Sequence, residues 1–189
     1  ISSDGEYIVV GSYDDKVYLF GKDSSTPIWS YETDDGVLYV DISSDGEYVV
    51  AGSSNNTVYL FGKNSGTPLW SYNLGSEDFC CDTSVSSVDI SADGEYIAIG
   101  SVNFHVYLFH KDSSTPLWSH DTDQGGTVYD VSLSSDGKYI AVATMASGVF
   151  LFDKDSSTPL WNYAAENDVT SVVISADGKY IVASGKDSK

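Results

Sequence analysis

Ile90-Ser91-Ala92-Asp93-Gly94-Glu95-Tyr96-Ile97-Ala98-Ile99-Gly100-Ser101 is followed by Val106-Tyr107-Leu108-Phe109 and then by Thr115-Pro116-Leu117-Trp118. Ser-Ala-Asp-Gly is a tight-turn sequence, because Asp tolerates turn geometry and Gly accepts a positive φ at no steric cost. The segments around it are rich in β-branched and aromatic residues, which predicts strands. One strand precedes the turn at Val85–Ile90, a second follows at residues 95–100, a third lies at 106–109 and a fourth begins at Pro116. Proline is tolerated at that last place because the first residue of an edge strand has no ladder bond to lose.

The same pattern recurs along the chain. Ser-Ser/Ala-Asp-Gly turns fall at Asp4-Gly5, Asp45-Gly46, Asp93-Gly94, Asp136-Gly137 and Asp177-Gly178, separated by 41, 48, 43 and 41 residues. Trp29, Trp70, Trp118 and Trp161 keep the spacing, each two residues after one of the four prolines. Cutting before each turn gives units 1–41, 42–89, 90–132 and 133–173, and a partial unit 174–189. Inner strands are expected at Val37–Ile42, Val128–Leu133 and Val169–Ile174 as well. No stretch has a sustained helical period. Four antiparallel strands per repeat of about 40–45 residues predict an all-β fold of β-propeller blades, four four-stranded blades plus part of a fifth. The recurring Tyr/Phe-Leu-Phe and the tryptophans are expected to fill the gaps between blades.

Composition excludes several function classes. The chain of 189 residues carries 28 Asp and Glu against 9 lysines and no arginine, a formal net charge of −19. No basic stripe for a nucleic acid can be built from that. No apolar run approaches the ~20 residues that cross a bilayer as a helix. Hydrophobic content of 41% argues for a packed core despite the charge. Such an acidic surface suits an extracellular or cell-surface setting. Cys80 and Cys81 are adjacent and cannot staple distant segments.

Ser-Ala-Asp-Gly-Glu-Tyr-Ile-Ala-Ile-Gly-Ser with Val-Tyr-Leu-Phe is similar to the WD-repeat pattern, and the likeness spans the chain. It departs from that pattern in lacking Gly-His, and Phe-Gly, Phe-His or Phe-Asp replaces Trp-Asp. The Thr-Pro-Leu-Trp segment resembles the tryptophan segment of PQQ-type (quinoprotein-like) repeats, in which the tryptophan docks between blades. The resemblance implies a toroid used as a rigid interaction platform. Because the terminal pieces 1–11 and 174–185 duplicate each other, the leading expectation is an arc of a six- to eight-bladed ring. A four-bladed ring with a redundant end comes next, and two chains sharing one ring through their open blade edges third.

In a propeller the connections from each outer strand to the next inner strand open on one face. Here they hold Glu32, Asp34 and Asp35; Glu77, Asp78, Cys80, Cys81 and Asp82; Asp121 and Asp123; and Glu166 and Asp168. This acidic loop face is the expected binding face, with the longer connection 75–84 as its most specialised part. Asp34, Asp35, Asp121 and Asp123 are candidate Ca2+ ligands, since hard cations take oxygen donors. Their spacing matches no known calcium loop, and solvated acidic loops are the simpler reading. Cys80-Cys81-Asp82 is similar to the vicinal cysteines of quinoprotein alcohol dehydrogenases, where a disulfide ring packs on the quinone, but the residues that follow it in those enzymes are absent. Asp41 and Asp89 fall in inner strands, where they are expected to bond neighbouring polar groups. The three histidines have no metal-ligand spacing, and Asn55-Asn56-Thr57 is a glycosylation sequon expected in an exposed turn. The resulting expectation is a non-catalytic, cofactor-free scaffold that binds another protein or a surface glycan. The competing classes are a PQQ- and calcium-dependent oxidoreductase and a structural repeat segment of a surface protein.

Overall fold

The computed structural model describes residues 1–75, 85–122, 126–145 and 148–186. Strands account for almost all regular structure, and they form five antiparallel sheets in chain order. Blade 1 has β1 (Tyr7–Ser12), β2 (Lys16–Gly21) and β3 (Trp29–Glu32). Blade 2 has β4 (Val37–Ile42), β5 (Tyr48–Ser53), β6 (Thr57–Gly62) and β7 (Pro68–Asn73). Blade 3 has β8 (Val85–Ile90), β9 (Tyr96–Ser101), β10 (His105–His110) and β11 (Trp118–Asp121). Blade 4 has β12 (Val128–Leu133), β13 (Tyr139–Thr144), β14 (Gly148–Asp153) and β15 (Trp161–Tyr163). Blade 5 has only β16 (Val169–Ile174) and β17 (Ile181–Gly185).

Three blades are therefore complete among the described residues. Of the four four-stranded blades expected, three are whole among those residues, with three strands in blade 1 and two in blade 5. The inner strands pack side by side, β4 on β8, β8 on β12 and β12 on β16, and β1, the second-strand counterpart in blade 1, packs on β4. Each inner strand from β4 onward carries a bulge near its start, between Val37 and Tyr39, Val85 and Ser87, Val128 and Asp130, and Val169 and Ser171. A bulge bends a strand and adds twist. Its recurrence at one register gives the four inner strands the same irregularity at the same place.

The core lies between blades, in four clusters that each draw on two neighbouring sheets. Phe61, Phe109 and Phe152 are fully buried, as expected for gap-filling aromatics. Each stacks under the tryptophan of the preceding blade, Trp29, Trp70 and Trp118, at ring separations of 5.2, 5.4 and 5.3 Å. Those indole N–H groups donate to the carbonyls of Lys63, Lys111 and Lys154, at 2.8, 2.7 and 2.8 Å. His120 fills the place of Tyr31 and Tyr72, edge-on to Phe152.

The Asp-Gly turn makes a second joint. In blade 3 the Ser91 hydroxyl donates to Asp93 at 2.7 Å, Asp93 accepts the Glu95 N–H, and the Ser91 oxygen accepts the Tyr96 N–H. Gly94 sits at φ 73° beneath the ring of Tyr48 from blade 2, where a Cβ would come within 2.4 Å of the ring. Glycine is thus required twice, by conformation and by contact. Gly94→Ala is expected to cost about 1–2 kcal/mol for the left-handed backbone and about 1–3 kcal/mol more for the clash. Gly5 shares the φ of 73° but has nothing within 4 Å of its would-be Cβ. Gly5→Ala should therefore show only the first cost in urea unfolding, and equal losses for the two variants would remove the ring contact from the account.

Candidate functional site

The loop face is built by two kinds of connection, and the sequence pointed to only one of them. The outer-to-inner connections lie beside the hairpins that join the second and third strands. Thr33 donates through both its N–H and its hydroxyl to the Asp15 carbonyl, at 2.7 and 2.8 Å, and Thr122 does the same to Phe104 at 2.8 Å for both. Asp15 and Phe104 are left-handed, at φ 66° and 71°, which turns their carbonyls toward those threonines. Thr33 and Thr122 are buried as a result, and each fastens two loops together.

This fastening brings Asp14 and Asp15 onto the same face as Glu32, Asp34 and Asp35. Glu32, Asp34, Asp35, Asp121 and Glu166 are exposed, and Asp168 is half-buried against Lys186 at 3.2 Å. Asp35 accepts the Gly36 N–H, and Asp14 accepts the Tyr18 hydroxyl, which holds the Asp14 carboxyl below its usual range. Glu77, Asp78, Cys80, Cys81, Asp82 and Asp123 lie outside the described residues. Among the described residues no group of three or more His, Cys, Asp or Glu side chains is arranged to hold a metal ion. The Ca2+ set of Asp34, Asp35, Asp121 and Asp123 is described only in part, with its first three members as exposed loop carboxylates.

Apolar side chains share this face. Tyr13, at 85% exposure, Phe104 and Met145 project from the hairpins of blades 1, 3 and 4. Their signal in the sequence was a large apolar residue inside a polar turn. The opposite face is different. Six of the eight described lysines, Lys22, Lys63, Lys111, Lys138, Lys154 and Lys179, sit there in the Asp-Gly turns or after the third strands. Lys22, Lys63 and Lys111 pair with Glu6, Glu47 and Glu95. Carboxylates still outnumber lysines at that end, but lysines offset part of their charge there, whereas Lys16 and Lys186 are the described lysines of the loop face.

Asp41 and Asp89 act inside the arc. Asp41 accepts the Ile90 N–H of the next blade at 3.0 Å, and Asp89 accepts the Leu133 N–H at 2.6 Å. Ser132 answers Ile174 in the same way at 3.3 Å. Asp130 accepts both the Ser171 hydroxyl and the Val172 N–H. Burial first, and then the neighbouring Asp41, push Asp89 up to about 8, so that it holds a proton at neutral pH. These carboxyls join neighbouring blades. His110 bridges to Glu95 at 3.1 Å, and His105 bonds the Asn103 carbonyl at 2.9 Å. Asn55 is half-buried and accepts the Thr57 N–H, so the sequon is less open than its sequence suggests.

Antiparallel blades joined inner strand to inner strand, with an aromatic core between neighbours, define a β-propeller repeat scaffold. The chain belongs to the PQQ-type repeat family whose model is described as outer membrane protein assembly factor BamB, which matches residues 1–103 and again 102–188. No curated protein matches the chain. Among the described residues no helix is long and apolar enough to cross a membrane.

Proposed function

We propose that the chain is a non-catalytic scaffold whose loop face binds a partner protein through a basic segment with apolar residues. The carrying observation is the combination on one face of the carboxylates Asp15, Asp34 and Asp35 with Tyr13, Phe104 and Met145. Acidic loops alone would only keep the protein soluble. Exposed aromatic and methionine side chains beside them are what protein-binding patches contain. The family's description as an assembly factor supports a protein rather than a small molecule as partner. The carboxylates steer a basic segment and set its on-rate, while the apolar tips hold it.

The test uses a lysine-rich peptide carrying spaced leucines and a glutamate-rich peptide of equal length, titrated by calorimetry. The basic peptide should bind and the acidic one should not. Changing Asp14, Asp15, Asp34 and Asp35 together to Asn should weaken binding about tenfold or more at low salt. Tyr13→Ala should weaken it at high salt as well. Binding that ignores both changes, or that favours the acidic peptide, removes this face from the function.

A further inference from the structure

The chain holds six Asp-Gly pairs, and five of them are built alike. At Asp4, Asp45, Asp93, Asp136 and Asp177 the carboxylate accepts the hydroxyl of the serine two residues back, at 2.6–2.7 Å. It also accepts the N–H two residues on, at 2.9–3.2 Å. The glycine N–H donates elsewhere, to the serine carbonyl three residues before it, at 2.8–2.9 Å. In each of these turns the carboxyl and the glycine nitrogen are held by different partners.

The sixth pair, Asp35-Gly36, is the exception. The Gly36 N–H donates to the carboxylate of Asp35 itself, at 2.8 Å. The peptide group between the two residues is fixed from both sides. The Asp35 carbonyl accepts the hydroxyls of Thr33 at 2.7 Å and Ser53 at 2.9 Å, and the Gly36 carbonyl accepts the Ser54 N–H at 2.9 Å. Asp35 is exposed, so water reaches its carboxyl, and Gly36 has no side chain to shield its own nitrogen. Carboxyl and nitrogen are thus held together in a near-attack arrangement, which can supply a large share of a reaction barrier.

We infer that Asp35-Gly36 is a self-modification site, where the aspartate converts to isoaspartate through a succinimide. With the Asp35 carboxyl protonated, the Gly36 nitrogen bonds to Cγ and the Cγ–OH bond breaks. The hydroxyl leaves as water, taking the amide proton. Water, the one other reactant, then opens the ring. Opening at Cγ restores aspartate. Opening at the main-chain carbonyl carbon breaks the original peptide bond, leaves the chain running through Cγ and frees the former main-chain carbonyl as a carboxylate. Charge is unchanged, but the backbone is longer by one carbon where Thr33 and Ser53 hold it. The conversion therefore reshapes the loop face between Asp34 and β4 without an enzyme. In the other five pairs the carboxyl is already turned away from the glycine nitrogen, which protects them.

The folded chain, kept warm at neutral pH in water enriched in heavy oxygen, tests this by peptide mass spectrometry with electron-transfer fragmentation, which separates isoaspartate from aspartate. Isoaspartate carrying heavy oxygen should accumulate at Asp35 at least about tenfold faster than at any of the five turn aspartates. In urea, where the geometry is lost, the six rates should converge. Gly36→Ala should slow conversion at Asp35 about tenfold or more and leave the other five rates as they were. Its Cβ would meet nothing closer than the exposed Tyr13 ring, at 3.3 Å, so the loop should keep its fold. A folded-state rate at Asp35 no higher than those of the five turns overturns the proposal, as does a rate that Gly36→Ala leaves unchanged. A lead for Asp35 that persists in urea overturns it too, since local sequence rather than the held geometry would then be the cause.

Discussion

Replacing Phe109 by alanine should lower the free energy of unfolding by about 3–5 kcal/mol, the range for truncating a buried aromatic. Phe109 is fully buried. Its ring contacts Trp70 at 5.4 Å, Tyr72 at 5.2 Å and Tyr107 at 6.4 Å, in a cluster drawn from blades 2 and 3. The backbone on both sides is locked in ladders with β9 and β11, so the cavity cannot collapse readily. Trp70 would also lose its stacking partner while its N–H stays fixed on Lys111. Phe20 holds the same position in blade 1 but is only half-buried, so Phe20→Ala should cost only about 1 kcal/mol. Urea unfolding of both variants at low protein concentration reads the difference. A loss below about 1 kcal/mol for Phe109→Ala would mean that the joint between blades is not where stability resides.

Asp89→Asn should flatten the pH dependence of stability. Asp89 titrates at about 8 in the folded chain and near 3.9 when unfolded. Between those values the folded chain holds a proton that the unfolded chain has released, so stability falls as pH rises from about 4 to about 8. The slope for one such proton is at most about 1.4 kcal/mol per pH unit. Asn keeps the geometry: its carbonyl can accept the Leu133 N–H and its amide can donate to Asp41. The variant and the parent should match near pH 4 and diverge steadily up to about pH 8, the variant being the more stable. Repulsion among surface carboxylates also rises with pH, but it is common to both proteins and cancels in the difference. Parallel profiles would show that Asp89 is not titrating in this range.

The inner strands were legible to the residue, at Val37–Ile42, Val85–Ile90, Val128–Leu133 and Val169–Ile174, because repetition gave each several independent readings. The second strand of blade 3 begins one residue later than expected, at Tyr96, and those of blades 2 and 4 begin at the matching Tyr48 and Tyr139. The preceding N–H of Glu47, Glu95 or Lys138 is held by the turn aspartate rather than by the ladder. What a single strand cannot show is its neighbour's register. An aspartate within a strand looks misplaced until the N–H it answers is seen, and for Asp41 and Asp89 that group lies more than 40 residues away. The loop face was incomplete for a similar reason. Asp14, Asp15 and Tyr13 join it only because Thr33 bonds back across the hairpin.

The tyrosine-on-glycine contact has a consequence for how such a chain can change over time. Its parts are short and local, a tyrosine in one repeat and an Asp-Gly turn in the next, and the same parts serve Tyr7 on Gly46, Tyr48 on Gly94, Tyr96 on Gly137 and Tyr139 on Gly178. Duplicating or deleting one repeat therefore rejoins a tyrosine to a glycine wherever the cut falls, and no new fit has to arise by mutation. The number of repeats can therefore change without a new joint between blades having to be built.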